Sequence, residues 1–182
     1  MEGFDAAAKA TIIARLAFGI HVTVDDVYRE GITSVGAEDI ESAARLGYCI
    51  KLVAIAERSV TDHGPGVGVR VHPTMVPNGH PLSTVRDSFN AVFVEGAAVG
   101  ELMFYGRGAG GRPTASAVFG DLVSIARNLG QPGGPLGGEL LPTSPISIHE
   151  LESAYYLHVD VEDRPGVLSQ VASVFGNYNV SI

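Results

Sequence analysis

The sequence has a single cysteine, Cys49, and no tryptophan. One cysteine allows no disulfide within the chain, which fits a reducing, cytoplasmic setting. Basic residues are scarce: 12 Lys and Arg stand against 20 Asp and Glu, a formal net charge of -8. A diffuse acidic surface argues against nucleic acid or an anionic membrane as partner. No apolar stretch reaches the ~18 residues of a membrane span. The opening MEGFDAAAKA lacks the basic segment of a secretion signal. The histidines are scattered, and His72 and His80, each followed by proline, lack metal-ligand spacing on one element, so no metal site is expected. No Ser-His-Asp constellation stands out.

What is present is a chain of 182 residues, 46% of them hydrophobic, enough for one sizeable core and a second small module. The 23 glycines cluster, and they read as turns. An alanine-rich helix is expected over residues 3–18, stopped by Gly19. A second helix is expected over 36–58, carrying Cys49 as a small core residue. The run VGVRVHPTMV alternates like a strand, with Pro73 marking a bulge or an edge. NAVFVEG and AVGELMFYG form a hairpin, and a long helix follows from 113 to about 128. The Gly/Pro/Ser-rich stretch 131–152 reads as a linker. After it come a strand over AYYLHVDV, a turn at EDRPG, a helix over VLSQVASVFGNY and a second strand at NVSI. Both ends look cut from a longer protein.

Gly106, Gly108 and Gly111 spell the G-x-G-x-x-G of a dinucleotide-binding turn. The context does not fit: the preceding strand belongs to a hairpin, and no apolar strand with a terminal acid follows the helix. A phosphate loop of the Lys-Ser/Thr type fails too, because Arg112 and Pro113 stand where those residues belong. Pro113 suits a first helical turn, and Thr114 and Ser116 bring hydroxyls to it. Free N–H groups there would suit an anion or polar ligand. A tight strand-to-helix connection without a ligand explains the same residues.

Asp5 and Lys9 are four apart and share one helix face. At about 100° per residue they fall within about 60° of Ile12 and Leu16, so the pair extends an apolar stripe. A surface ion pair is one explanation. The other is a cleft, in which an ammonium gives a proton to a carbonyl under reduction or steadies an alkoxide, and the aspartate fixes the lysine or binds a substrate amine.

Taken in order, EGFDAAAKATIIARLAFG, HPTMVPNGHPLSTVRDSFNAVFVEG and YGRGAGGRPTASAVFGDLVSIAR resemble the C-terminal half of a homoserine dehydrogenase. The resemblance covers most of the chain. It implies NAD(P)-dependent interconversion of L-aspartate 4-semialdehyde and L-homoserine, a small-molecule substrate, on the route to threonine, methionine and isoleucine. It implies Lys9 as proton donor, Asp5 as substrate ligand, and Gly108, Ala109, Gly110 and Thr114 as part of the NADP or NAD cleft. The family's sheet carries dimer contacts, so a homodimer or homotetramer is expected. The closing YYLHVDVEDRPGVLSQVASVFGNYNVSI resembles the start of an ACT domain. Its D-x-P-G-V-L turn implies a regulatory ligand, threonine as effector, at Asp163, Gly166 and Val167.

The fold class expected is therefore α+β: a mixed β-sheet covered by helices, plus an incomplete βαβ ACT start. Residues 1–130 form a catalytic and dimerisation domain, 131–152 the linker and 153–182 the partial ACT domain. The Rossmann domain, and a glutamate-bearing segment just upstream of Asp5, are features of the family that this sequence does not contain, so it should not transfer hydride alone. The alternative is a non-catalytic, amino-acid-sensing module that uses the first domain for dimerisation.

Overall fold

The computed structural model describes residues 2–129 and 145–180. Helix α1 runs Phe4–Phe18 and stops where expected, at Gly19, whose φ of 66° is left-handed and whose N–H bonds Arg15 O at 3.0 Å. Its buried face is made of Ala7, Ala10 and Ala14, at most 2% exposed. Three alanines in that pattern let the helix axis approach the sheet closely. They pack with Ile20, Val27, Val67, Val69 and Val71 in one core cluster.

A one-turn helix at Val24–Asp26 leads into strand β1, Tyr28–Arg29. Helix α2 covers only Ala37–Arg45. The single helix expected over 36–58 is thus two elements, because Gly47 turns left-handed at φ 83° and the chain enters strand β2, Tyr48–Thr61. The apolar, partly β-branched run after Gly47 finds a cross-strand partner along its whole length, and that pairing overrides a helical pattern. Cys49 accordingly sits half-buried in a strand opposite Val76.

Strand β3, Gly64–Pro77, pairs antiparallel with β2 in one unbroken register from Thr61–Gly64 to Tyr48–Pro77. The sheet order is β1-β3-β2. Strand β1 pairs parallel with Arg70 and Val71, and a short strand at Pro145–Ile146, numbered β6, pairs parallel with Val67 and Gly68. The sheet is therefore mixed, as expected. Pro73 makes no bulge. Glu30 N–H bonds Val71 O at 2.8 Å, so the odd-numbered residues of β3 turn their backbone groups away from β2. Pro65, Pro73 and Pro77 all fall on that phase, where a missing N–H breaks no bond to β2.

Beyond a one-turn helix at Pro81–Thr84, strands β4 (Phe89–Gly96) and β5 (Gly100–Arg107) form the expected hairpin as a separate two-stranded sheet. Helix α3 follows at Gly111–Asn128, with no buried residue. The linker expected over 131–152 lies outside the described residues up to 144; its last part carries β6, a one-turn helix at Ile148–Glu150 and the buried Leu151. The strand expected over AYYLHVDV does not form. Residues 151–164 take no regular structure, because no strand among the described residues accepts their backbone groups. The helix after the EDRPG turn is present as α4, Val167–Asn177. Of the elements expected for the ACT start only the helix forms among the described residues, and the ACT start itself is not confirmed. Of the strand expected at NVSI, Asn179 and Val180 are not extended into a ladder, and the last two residues lie outside the described part.

Candidate functional site

The alanine face of α1 is fixed against β2 and β3, so the opposite face points outward. At about 100° per residue, Asp5, Lys9, Ile12 and Leu16 lie roughly 180° from the centre of the Ala7–Ala10–Ala14 stripe. Ile12 and Leu16 are 60% and 56% exposed. The stripe found in the sequence is real, yet it is not the face that packs on the sheet. Within it Lys9 Nζ lies 2.7 Å from Asp5 Oδ2, as the i,i+4 spacing allows. Both side chains are open, 56% and 83% exposed, so within this chain the pair has the modest energy of a surface ion pair. The arrangement presents a fixed ammonium and carboxylate amid exposed apolar side chains.

The start of the helix is held in place from below. Gly3 adopts φ 77°, and a Cβ there would lie 3.2 Å from Arg29 Cγ and 3.3 Å from Val71 Cγ1. Phe4 in turn lies under the Arg29 guanidinium, 3.6 Å from ring centroid to Cζ. These contacts set where Asp5 begins its turn of helix.

The glycine turn is a second, separate feature. Gly108 N–H bonds Ser88 O at 2.9 Å, tying the end of β5 to the residue before β4. Phe89 and Tyr105 stack 4.8 Å apart, and the Arg107 guanidinium lies 4.7 Å from the Phe89 ring centroid. Gly110 takes φ 118° and begins α3 without any side-chain cap. The N–H groups of Gly111 and Arg112 therefore face outward with no capping side chain, while Pro113 has none to offer. Gly110, Gly111 and Thr114 open onto a shallow hollow continued by Ala115, Val118, Phe119 and Leu122. Val118, Phe119, Leu122 and Ile125 are all more than half exposed, an apolar stripe without a partner among the described residues.

Asp163 lies in irregular chain, Gly166 is left-handed at φ 89° and Val167 opens α4. The turn forms at Pro165–Gly166. The described residues hold no group of three or more His, Cys, Asp or Glu able to bind a metal, and no helix long and apolar enough to cross a membrane.

Some contacts had no sequence signal. Arg70, 6% exposed, pairs with Glu57 across the sheet face opposite α1, its Nε without a partner. Lys51 Nζ bonds Val85 O at 2.7 Å and pins the loop after the second one-turn helix. Asn90 lies against Gly108. The alternation of β4 would place Asn90 on a face, but not against that glycine.

A mixed sheet with helices packed on it, and a Lys-Asp pair on the outer face of its first helix, define an α+β domain. The family model described as homoserine dehydrogenase matches residues 1–123. The chain belongs to the homoserine dehydrogenase family. It is 50% identical to the homoserine dehydrogenase of Corynebacterium glutamicum over its whole length, covering 41% of that relative. Among solved structures, a homoserine dehydrogenase from Thiobacillus denitrificans superposes with a TM-score of 0.83 at 36% identity, covering 97% of this chain and 41% of that one. A hyperthermophilic archaeal homoserine dehydrogenase mutant, solved in complex with NADPH, matches 70% of this chain and 34% of its own, at 27% identity and a TM-score of 0.53. The chain thus spans about two-fifths of the length of the curated relatives it matches.

Proposed function

We propose that the chain is the catalytic, substrate-binding portion of a cytoplasmic, NAD(P)-dependent homoserine dehydrogenase, interconverting L-aspartate 4-semialdehyde and L-homoserine on the route to threonine, methionine and isoleucine. One observation carries this: the Asp5–Lys9 pair, 2.7 Å apart, stands on an exposed apolar face of a helix whose other face is locked to the sheet. Apolar surface around such a pair calls for a covering structure, and covering it would strengthen every charge interaction there.

In the reducing direction Lys9 gives a proton to the aldehyde oxygen as it becomes an alkoxide. In the reverse direction its neutral amine takes the hydroxyl proton. Asp5 orients that ammonium and is placed to accept from the substrate's own amino group. The nicotinamide nucleotide, when bound, supplies or accepts the hydride. The residues of the glycine turn fit one wall of its site: Gly108, Ala109 and Gly110 put little side chain over the backbone, the first amides of α3 carry no cap, and Thr114 adds a hydroxyl. The rest of that site is assigned to the part of the protein that relatives carry beyond this chain. Association into a homodimer or homotetramer through the sheet belongs to the same proposal.

In the full-length protein, Lys9→Ala should lower aspartate-semialdehyde reduction by roughly 10²–10⁴-fold. A loss below about tenfold with fold retained would remove Lys9 from the proton-transfer role. Because Lys9 is exposed, the substitution should not unfold the chain.

A second role, amino-acid sensing, is favoured by the left-handed Gly166 and the helix that follows it. In that reading residues 153–182 belong to an ACT domain, joined by residues 131–152 to a first domain of 1–130, and Asp163, Gly166 and Val167 contribute to a threonine site. Unchanged activity of the full-length protein on adding threonine would count against it.

A further inference from the structure

The chain after Ile146 stays close to the sheet that β6 has joined. Leu151, 7% exposed, fills the space over Gly68, where a Cβ would come within 2.5 Å of its Cδ1. Seven residues on, His158 Nδ1 lies 3.0 Å from Asp39 Oδ1, and its Nε2 lies 4.0 Å from Glu38 Oε2. Both carboxylates belong to the first turn of α2. The other oxygen of Asp39 accepts the Gly36 N–H at 2.8 Å, so the carboxylate is held in place before His158 arrives. Between the two anchors Tyr155 lies near Tyr28 of β1, whose phenol is pushed above its ordinary value by burial, with Glu30 and Tyr155 adding to it.

We propose that the first turn of α2 holds the chain's own C-terminal segment at His158, and that the charge on His158 sets how firmly the segment is held there. The docked state brings an imidazole between two carboxylates at a helix N-terminus. The charged groups in contact with it are Glu38 and Asp39 from α2, while Glu162, further along the segment itself, is already paired with Arg164 at 3.3 Å. A protonated ring gains from Glu38 and Asp39. A neutral ring keeps one hydrogen bond to Asp39 and loses the ionic part. This inference needs only the fold and is independent of the dehydrogenase activity.

The test is amide hydrogen exchange over residues 153–161 of the full-length protein, corrected for intrinsic chemistry, at pH 6 and pH 8. For an exposed ion pair of at most about 1 kcal/mol, protection should be roughly two- to fivefold greater at pH 6. His158→Ala should abolish the difference. Asp39→Asn should reduce it while leaving α2 intact, because the amide oxygen still caps Gly36. A pH difference that persists in His158→Ala, or equal protection at both pH values in the unaltered protein, overturns the proposal.

Discussion

Gly108 lies directly against the carboxamide of Asn90: a Cβ on Gly108 would sit 1.9 Å from Nδ2 and 2.4 Å from Cγ. Two strands of one hairpin are thus locked where the second gives way to the glycine turn. Gly108→Ala must push the Asn90 side chain aside. Asn90 is exposed and can turn away, so the cost should fall near the low end of overpacking, about 1 kcal/mol. Asn90→Ala should be nearly neutral alone and should recover most of that loss in the double variant. Denaturant unfolding of the four proteins measures the coupling; strictly additive effects would show that the contact does not matter.

Helix α1 has two faces with opposite tolerances. Ala10→Leu inserts three carbons where the helix meets the sheet at 2% exposure, and should destabilise the chain by about 1–3 kcal/mol. Ile12→Ser, on the outward stripe, should change stability by no more than about 0.5 kcal/mol. The same change should impair the activity of the full-length protein if that stripe is covered there. Thermal unfolding of both variants separates the faces, and a large loss for Ile12→Ser would mean the stripe is already packed.

These two faces show what the sequence could and could not disclose. The spacing of Asp5, Lys9, Ile12 and Leu16 was legible, because helix geometry alone puts them in one stripe. Which face meets the sheet was not, since alanine carries little hydrophobic signal yet permits the closest approach. The β2 residues were misread as helix for a related reason: an apolar run has no period, and its β3 partner is a non-local fact. Pro73 left a bulge or an edge open in the sequence, and the unbroken register with β2 removes the bulge. The strand expected over AYYLHVDV had the alternation of a strand but no neighbour to pair with among the described residues, and His158 could be matched to Asp39 only in three dimensions.

Gly68 and Leu151 form a knob-in-hole contact that attaches the C-terminal segment to β3. Gly68→Ala would place a methyl 2.5 Å from Leu151 Cδ1 and 2.8 Å from Cδ2, so Leu151 must leave. The expected result is release of the pairing between β6 and β3, seen as faster amide exchange at Val67–Gly68 and Ile146. Leu151→Ala should cost roughly 2 kcal/mol, the lower end for a buried leucine. If Gly68→Ala leaves exchange over these residues unchanged, Leu151 is not the anchor.

Acid should loosen two helix starts. Asp26 is held below its ordinary value of 3.8 by the Thr23 hydroxyl, then by the Thr23 N–H. Asp39 is lowered from the same value by the Gly36 N–H, with His158 second. A carboxylate whose folded pKa is depressed binds protons more readily in the unfolded chain. Its stabilising contribution is therefore complete above the unfolded pKa near 3.8 and is lost as pH falls through the lower folded value. The stability of the chain should fall with acid below about pH 4, and Asp26→Asn and Asp39→Asn should each flatten that limb, with Asp26→Asn leaving the curve above pH 5 parallel. Urea midpoints between pH 2.5 and pH 7 provide the measurement. An acid limb identical in both variants would place the titrating groups elsewhere in the fold.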